Sequence, residues 1–68
     1  MNNLTFLEKW CNDLSIKTIA KPTYLMIDRS QLTELVGNEN DVLRELKSLN
    51  TKLFISTFDD DWYYVESF

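Results

Sequence analysis

The stretch DRSQLTELVGNENDVLRELKSLNTKLFISTFDDDWYYV, residues 28–65, decides how this chain folds. Its first half carries leucines at helical spacing on either side of Gly37. Its second half carries two runs rich in β-branched and aromatic residues on either side of Asp59, Asp60 and Asp61. Spacings of three and four place side chains on one helical face, whereas bulky β-branched runs bounded by turn residues read as strands. The stretch therefore predicts a helix, a tight turn, a second helix and a β-hairpin with three carboxylates at its tip.

Local chemistry supplies the boundaries. Asp28 or Ser30 caps the first of these helices, with Asp28 and Gln31 at capping-box spacing. Leu32, Leu35 and Val36 form its buried stripe, and Gly37 stands where a left-handed residue commonly closes a helix. Asn38 or Asn40 opens the next helix, in which Val42, Leu43, Leu46 and Leu49 point inward, and Asn50 marks its exit. The strands are Leu53 to Phe58 and Trp62 to Phe68. Pairing Phe58 with Trp62 sets Ile55 opposite Val65 and Thr57 opposite Tyr63. Leu53, Ile55, Val65 and part of Tyr63 then share one face, and Phe54, Phe58, Trp62 and Tyr64 the other. A slip of one residue would mix Ile55 with Glu66, so the first register buries apolar groups better.

Upstream, Leu4, Leu7, Trp10, Cys11 and Leu14 recur at the spacing of one helical face, predicting a helix over 4–14. Asn2 or Asn3 caps it, or Thr5 and Glu8 form a capping box. An extension toward Ile19 is stopped by Lys21-Pro22, because the residue before proline avoids the helical region. Tyr24 to Ile27 is a short apolar run that reads as a strand.

The chain has 68 residues, 44% of them hydrophobic, with one Gly and one Pro. That bounds it to a single domain, 1–68, with a core only just sufficient for its size. The lone Cys11 excludes an internal disulfide and fits a reducing, cytoplasmic setting. No apolar run spans a bilayer and no basic start leads into an apolar leader, so a membrane partner is not expected. Net charge is −4, and its distribution matters more than its total. Residues 1–27 carry +1, residues 28–52 carry −1, and residues 53–68 hold four acids without a single base. A hairpin of that charge repels phosphate and favours a basic partner.

The run from Gln31 to Leu49 resembles a helix-turn-helix. Leu32, Val36, Gly37, Leu43 and Leu46 occupy the positions that lock two such helices, with Thr33 as the small residue of the first. Asn38 departs from the pattern, standing where that family usually buries an aliphatic side chain. With the first helix, the short strand and the terminal hairpin, the order of elements is similar to a winged helix. The resemblance implies a small α+β domain: helix, short strand, two helices and a C-terminal β-hairpin. It also implies DNA contact through the third helix, whose outward positions here are Glu39, Asn40, Asp41, Arg44, Glu45 and Ser48. Asn40, Arg44 and Ser48 are competent to meet bases or phosphates, but the acids beside them oppose the phosphate contacts that supply most of such affinity.

Other chemistry finds few footholds. The chain has no histidine, so the usual general base and the commonest metal ligand are missing, and no glycine-rich loop cradles phosphate. Cys11 sits on an apolar stripe as a core thiol, and no catalytic role, cofactor or metal is expected. Aspartates at a hairpin tip are turn formers before they are ligands, and a calcium site needs more oxygens than this loop supplies. Six of the nine aromatics fall in the last 15 residues. Unless the first helix covers them with Phe6 and Trp10, they form an exposed apolar patch of the kind that marks an interface, with a partner or with a second copy. Single-stranded nucleic acid is excluded there, because stacking platforms need flanking Lys and Arg. The expected function is a non-enzymatic protein-binding module using Phe54, Phe58, Asp59, Asp60, Asp61, Trp62 and Tyr64. As an inhibitor or modulator it would act as a DNA mimic toward a nucleic-acid-handling protein. Its short, acidic, asparagine-rich composition is similar to accessory proteins of phages and mobile elements. The alternative is a transcription regulator reading DNA through Asn40, Arg44 and Ser48.

Overall fold

The computed structural model describes residues 3–68. They form three helices, α1 (Asn3–Asp13), α2 (Arg29–Val36) and α3 (Glu39–Leu49), and four strands, β1 (Thr18–Ala20), β2 (Leu25–Asp28), β3 (Leu53–Phe58) and β4 (Trp62–Ser67). The strands make one antiparallel sheet in the order β1-β2-β4-β3. The fold is a small α+β domain in two layers, with one core. Leu7 and Cys11 of α1, Leu32 of α2, and Val42 and Leu46 of α3 meet Leu25, Ile27, Leu53, Tyr63 and Val65 of the sheet. Every one of these sheet residues lies on the same face, because side chains alternate along a strand.

The first helix begins at Asn3, and the expected Asn2 cap lies outside the described residues. Asn3 instead ties the chain ends together: it donates to the Ser67 hydroxyl at 2.7 Å and accepts from the Asn50 amide at 2.9 Å. The helix does not run on toward Ile19. Ser15 adopts a left-handed conformation at φ 60°, its N–H bonds the Asn12 carbonyl at 3.0 Å, and the Ile16 N–H bonds the Cys11 carbonyl at 2.9 Å. This is a Schellman closure, and it drops Ile16 into the core.

Beyond it comes β1, a strand that the sequence pattern does not announce. Lys21-Pro22 is the tip of a hairpin rather than a helix stop, with the Lys21 N–H bonded to the Tyr24 carbonyl at 2.9 Å. Proline's fixed φ suits the second position of such a turn. The following strand starts one residue later than predicted and runs to Asp28.

Asp28 caps α2 by accepting from the Gln31 N–H at 3.0 Å. Gln31 does not complete a capping box. Its Oε1 accepts from the Lys17 N–H at 2.6 Å, while the Asp28 N–H bonds the Lys17 carbonyl at 2.9 Å. Gly37 closes α2 at φ 112°, its N–H reaching the Thr33 carbonyl at 2.7 Å. A Cβ there would stand 3.2 Å from an Asp41 carboxylate oxygen. Asn38 caps α3, accepting from the Asp41 N–H at 3.0 Å. A cap must reach backbone at the surface, which is why a polar residue stands at this position.

Three leucines assigned to the core are exposed: Leu14, Leu35 and Leu43. The stripes on these helices are narrower than their leucine content suggests, since each short helix meets the sheet along one line. Leu35, 52% accessible, lies with Leu14, Trp10 and Val36 along a cleft of about 530 Å³ between the helices.

Candidate functional site

β4 carries the alternation that builds the candidate surface. Tyr63 and Val65 are buried, while Trp62, Tyr64 and Glu66 are half-exposed on the opposite face. Their cross-strand neighbours extend that face. Met26 lies opposite Tyr64 and Ile19 opposite Met26, Asp28 lies opposite Trp62, and Phe54 lies opposite Glu66. Phe68 stacks on Phe54 with ring centroids 4.8 Å apart and is itself 83% exposed. The helical residues of the core all belong to the other layer, so this outer face is uncovered among the described residues. The first helix does not shield it: Trp10 packs on the core beside α2 and α3, and Phe6 is exposed.

One predicted member has left the group. Ile55 pairs with Val65 as expected, but Thr57 faces Tyr64 and Phe58 faces Tyr63. Ser56 is the extra residue of a β-bulge, and its hydroxyl donates to the Tyr64 carbonyl at 3.0 Å. A bulge reverses the alternation beyond it, so Phe58 turns to the helical side. There it meets Tyr63 edge-on at 6.3 Å and lies under the Arg29 guanidinium at 4.9 Å. Phe54, Trp62 and Tyr64 remain together on the outer face.

The aspartates divide by role. Asp59 is a turn former: its carboxylate accepts from the N–H of Asp61 at 2.9 Å, the N–H of Trp62 at 2.7 Å and the Tyr64 hydroxyl at 2.6 Å. The Tyr64 hydroxyl, then the Asp61 N–H, hold the Asp59 carboxyl below the usual carboxylate range. The same bond, first of several causes, pushes the Tyr64 phenol above its ordinary value. Asp60 and Asp61 are exposed at the tip. Arg29 fastens that tip to the helices. Its backbone N–H donates to the Asp61 carbonyl at 2.9 Å, its guanidinium donates to the Asp59 carbonyl at 2.8 Å, and the guanidinium also pairs with Glu39. The sequence pattern gives Arg29 no role, because nothing local links it to residues thirty positions away.

Cations of this chain already sit over several aromatic rings: Lys17 over Trp62 at 5.8 Å, Arg29 over Tyr63 at 5.7 Å, and Lys47 over Phe68 at 6.0 Å. The tilted Tyr24–Tyr64 pair, with centroids 5.9 Å apart, has none among the described residues.

The third-helix residues also reach the surface. Asn40 borders a groove of about 420 Å³ shared with Leu43, Ile55 and Phe58. The Arg44 side chain is 80% exposed and 3.6 Å from the Asp41 carboxylate. Ser48 turns its hydroxyl back to the Glu45 carbonyl at 2.7 Å. Cys11 is buried, and burial, with a smaller contribution from the Glu8 charge, pushes its thiol up to about 12. It is a thiol, not a thiolate, at neutral pH. Among the described residues no group of three or more His, Cys, Asp or Glu is arranged to hold a metal ion, and no helix is long and apolar enough to cross a membrane.

The chain matches no family model, no curated protein and no solved structure. The candidate site is therefore defined by its own chemistry: a sheet face of half-buried Met26, Phe54, Trp62 and Tyr64 with no helix over it among the described residues, flanked by carboxylates.

Proposed function

We propose that this chain is a non-enzymatic binding module whose working surface is the outer sheet face and the acidic hairpin tip. One observation carries the reading. All three helices contribute to a core on one side of the sheet, and among the described residues Phe54, Trp62 and Tyr64 stay half-buried and Phe68 exposed on the other. Clustered aromatics rimmed by polar groups are the composition of a protein interface. Asp61 at the tip and Glu66 on the strand supply carboxylates to this rim, Lys17 and Lys47 lie over Trp62 and Phe68, and residues 53–68 themselves contain no base. The partner is therefore a protein with a basic surface.

Many basic surfaces exist to hold nucleic acid, and a hairpin of carboxylates competes for the same site. In this reading the chain modulates or inhibits a nucleic-acid-handling protein. The arrangement is of winged-helix type, supported by the neighbouring order β2-β4-β3 and by three helices on one side; β1 is an addition at the edge. A second reading, duplex DNA bound through α3, draws support from the exposed guanidinium of Arg44 and the exposed Asn40. Asp41 and Glu45 beside them weigh against it.

Two measurements test the proposal. A mobility-shift assay at low salt is expected to give no retarded duplex; tight binding that weakens steeply with salt sinks the first reading in favour of the second. Affinity capture with wild type and with a Trp62→Ala, Asp60→Asn, Asp61→Asn variant is expected to lose the dominant partner in the variant. Equal recovery from both would show that the surface is wrong.

A further inference from the structure

On the outer face Tyr24, Tyr64 and Glu66 enclose a shallow cup of about 290 Å³, completed by Ser56 and Thr57 of β3. Its depth follows from the bulge. Ser56 and Thr57 are small residues beside two tyrosines, so the sheet surface dips between them and the edge. Aromatic faces are negative at their centres, and a carboxylate beside two such faces makes a site suited to a cation. The Tyr64 hydroxyl is bonded to the Asp59 carboxylate at 2.6 Å, which adds negative potential to that ring.

Four other rings of the hairpin show what such a cup attracts, while Phe54 stacks on Phe68 instead. Trp62, Phe58, Tyr63 and Phe68 each have a Lys or Arg of this chain over them. The Tyr24–Tyr64 pair has no such cation among the described residues, although the Glu66 carboxylate lies at its side. We infer that the Tyr24–Tyr64–Glu66 cup receives a Lys or Arg side chain of the protein partner. The inference rests on the proposed docking face and names the contact that selects a basic partner there. The alkyl stem lies across the tyrosines and Thr57, and the charged head meets Glu66. A neutral side chain of the same length gains the apolar contact and forfeits the ionic and cation–π attractions.

The probe is N-acetyl-arginine amide, titrated at low salt while the ring signals of Tyr24, Tyr64 and Trp10 are followed by NMR. Tyr24 and Tyr64 are expected to shift saturably, and Trp10, on the helical side, to stay still. The uncharged N-acetyl-norleucine amide is expected to shift Tyr24 and Tyr64 at least about threefold less and to leave Trp10 unmoved. Glu66→Gln and Tyr24→Leu are each expected to weaken the response at least about threefold, the scale of one exposed cation–π or ionic contact. Tyr64→Phe, which keeps the ring and the fold, is expected to retain most of it. Equal shifts with the norleucine amide, or responses unchanged in both Glu66→Gln and Tyr24→Leu, overturn the inference. The outcome is separable from the capture experiment. A cup that binds the probe while partner capture survives the Trp62, Asp60 and Asp61 changes refutes the docking face alone. A cup that ignores the probe while capture is lost refutes the cup alone.

Discussion

Tyr63 and Tyr64 are adjacent in sequence and opposite in environment. Tyr63 is 1% exposed, surrounded by core residues, with its hydroxyl 3.1 Å from that of Thr33. Tyr64 is half-exposed, its ring beside Tyr24 and its hydroxyl on Asp59. The same contrast runs across the sheet. The inner face is covered by helices and closed around Tyr63 by aliphatic side chains; the outer face carries half-buried aromatics, Glu66 and no helix over it among the described residues. A chain this small has little apolar surface to spare, so aromatics left out of its core point to use elsewhere. The inner face holds the fold together, and the outer face is free to be a surface for recognition.

The largest expected effects fall on the inner face. Leu46→Ala, at a fully buried position against the sheet, is expected to cost about 2–5 kcal/mol. A core of this size supplies only about 3–5 kcal/mol in total, so circular dichroism at 37 °C is expected to report a largely unfolded chain. A variant as stable as wild type would mean that α3 does not rest on the sheet as described. Gly37→Ala comes next. It forces a side chain into φ 112° and against Asp41, at a cost of at least about 1–2 kcal/mol visible as a lower urea midpoint. Ser15→Gly works in the other direction, relieving a left-handed serine at the end of α1. A gain of up to about 1 kcal/mol is expected, or roughly 4–8 °C in Tm.

The outer face is expected to respond less in stability. Trp62→Thr keeps a strand-forming residue on a half-buried position and is expected to cost about 1–2 kcal/mol, less than Leu46→Ala, while abolishing partner capture. A loss comparable to that of Leu46→Ala would erase the distinction between the faces.

The smallest effect concerns pH. Asp59 has its pKa lowered in the folded chain, so its contribution is present above the ordinary carboxylate range and fades as pH falls through the folded value. Tyr64 has its pKa raised, so its contribution is complete below the ordinary tyrosine value of about 10 and is lost as pH rises through the folded value. Tyr64→Phe is expected to flatten both limbs of a stability–pH curve. Unaltered limbs would deny the bond between them.

Much of this arrangement is legible in the amino-acid sequence. Local rules locate all three helices and the terminal hairpin, because caps, glycine and leucine spacing act within a few residues. The Asp28 cap, the Gly37 closure and the Ile55–Val65 pairing are of that kind. What escapes depends on contacts that spacing does not encode. β1 is three residues long and exists because β2 offers it an edge. The bulge at Ser56 moves Phe58 off the aromatic face, and no sequence pattern marks a bulge without glycine. Leu14, Leu35 and Leu43 satisfy helical periodicity yet stand exposed, since periodicity gives a direction and not a depth. The outer face itself is half visible in the sequence: its aromatic excess is plain, but whether α1 covers it depends on packing.

If the outer sheet face, and not the helical side, engages the partner, two substitutions on opposite sides of the molecule must behave differently. Quantitative affinity capture with Trp62→Thr and with Leu35→Ala, both first shown to be folded, makes that comparison. At least about a tenfold loss of the dominant partner is expected for Trp62→Thr, as for an aromatic interface anchor, and full recovery for Leu35→Ala. Full recovery with Trp62→Thr and loss with Leu35→Ala would refute recognition by the sheet and place it in the cleft between the helices.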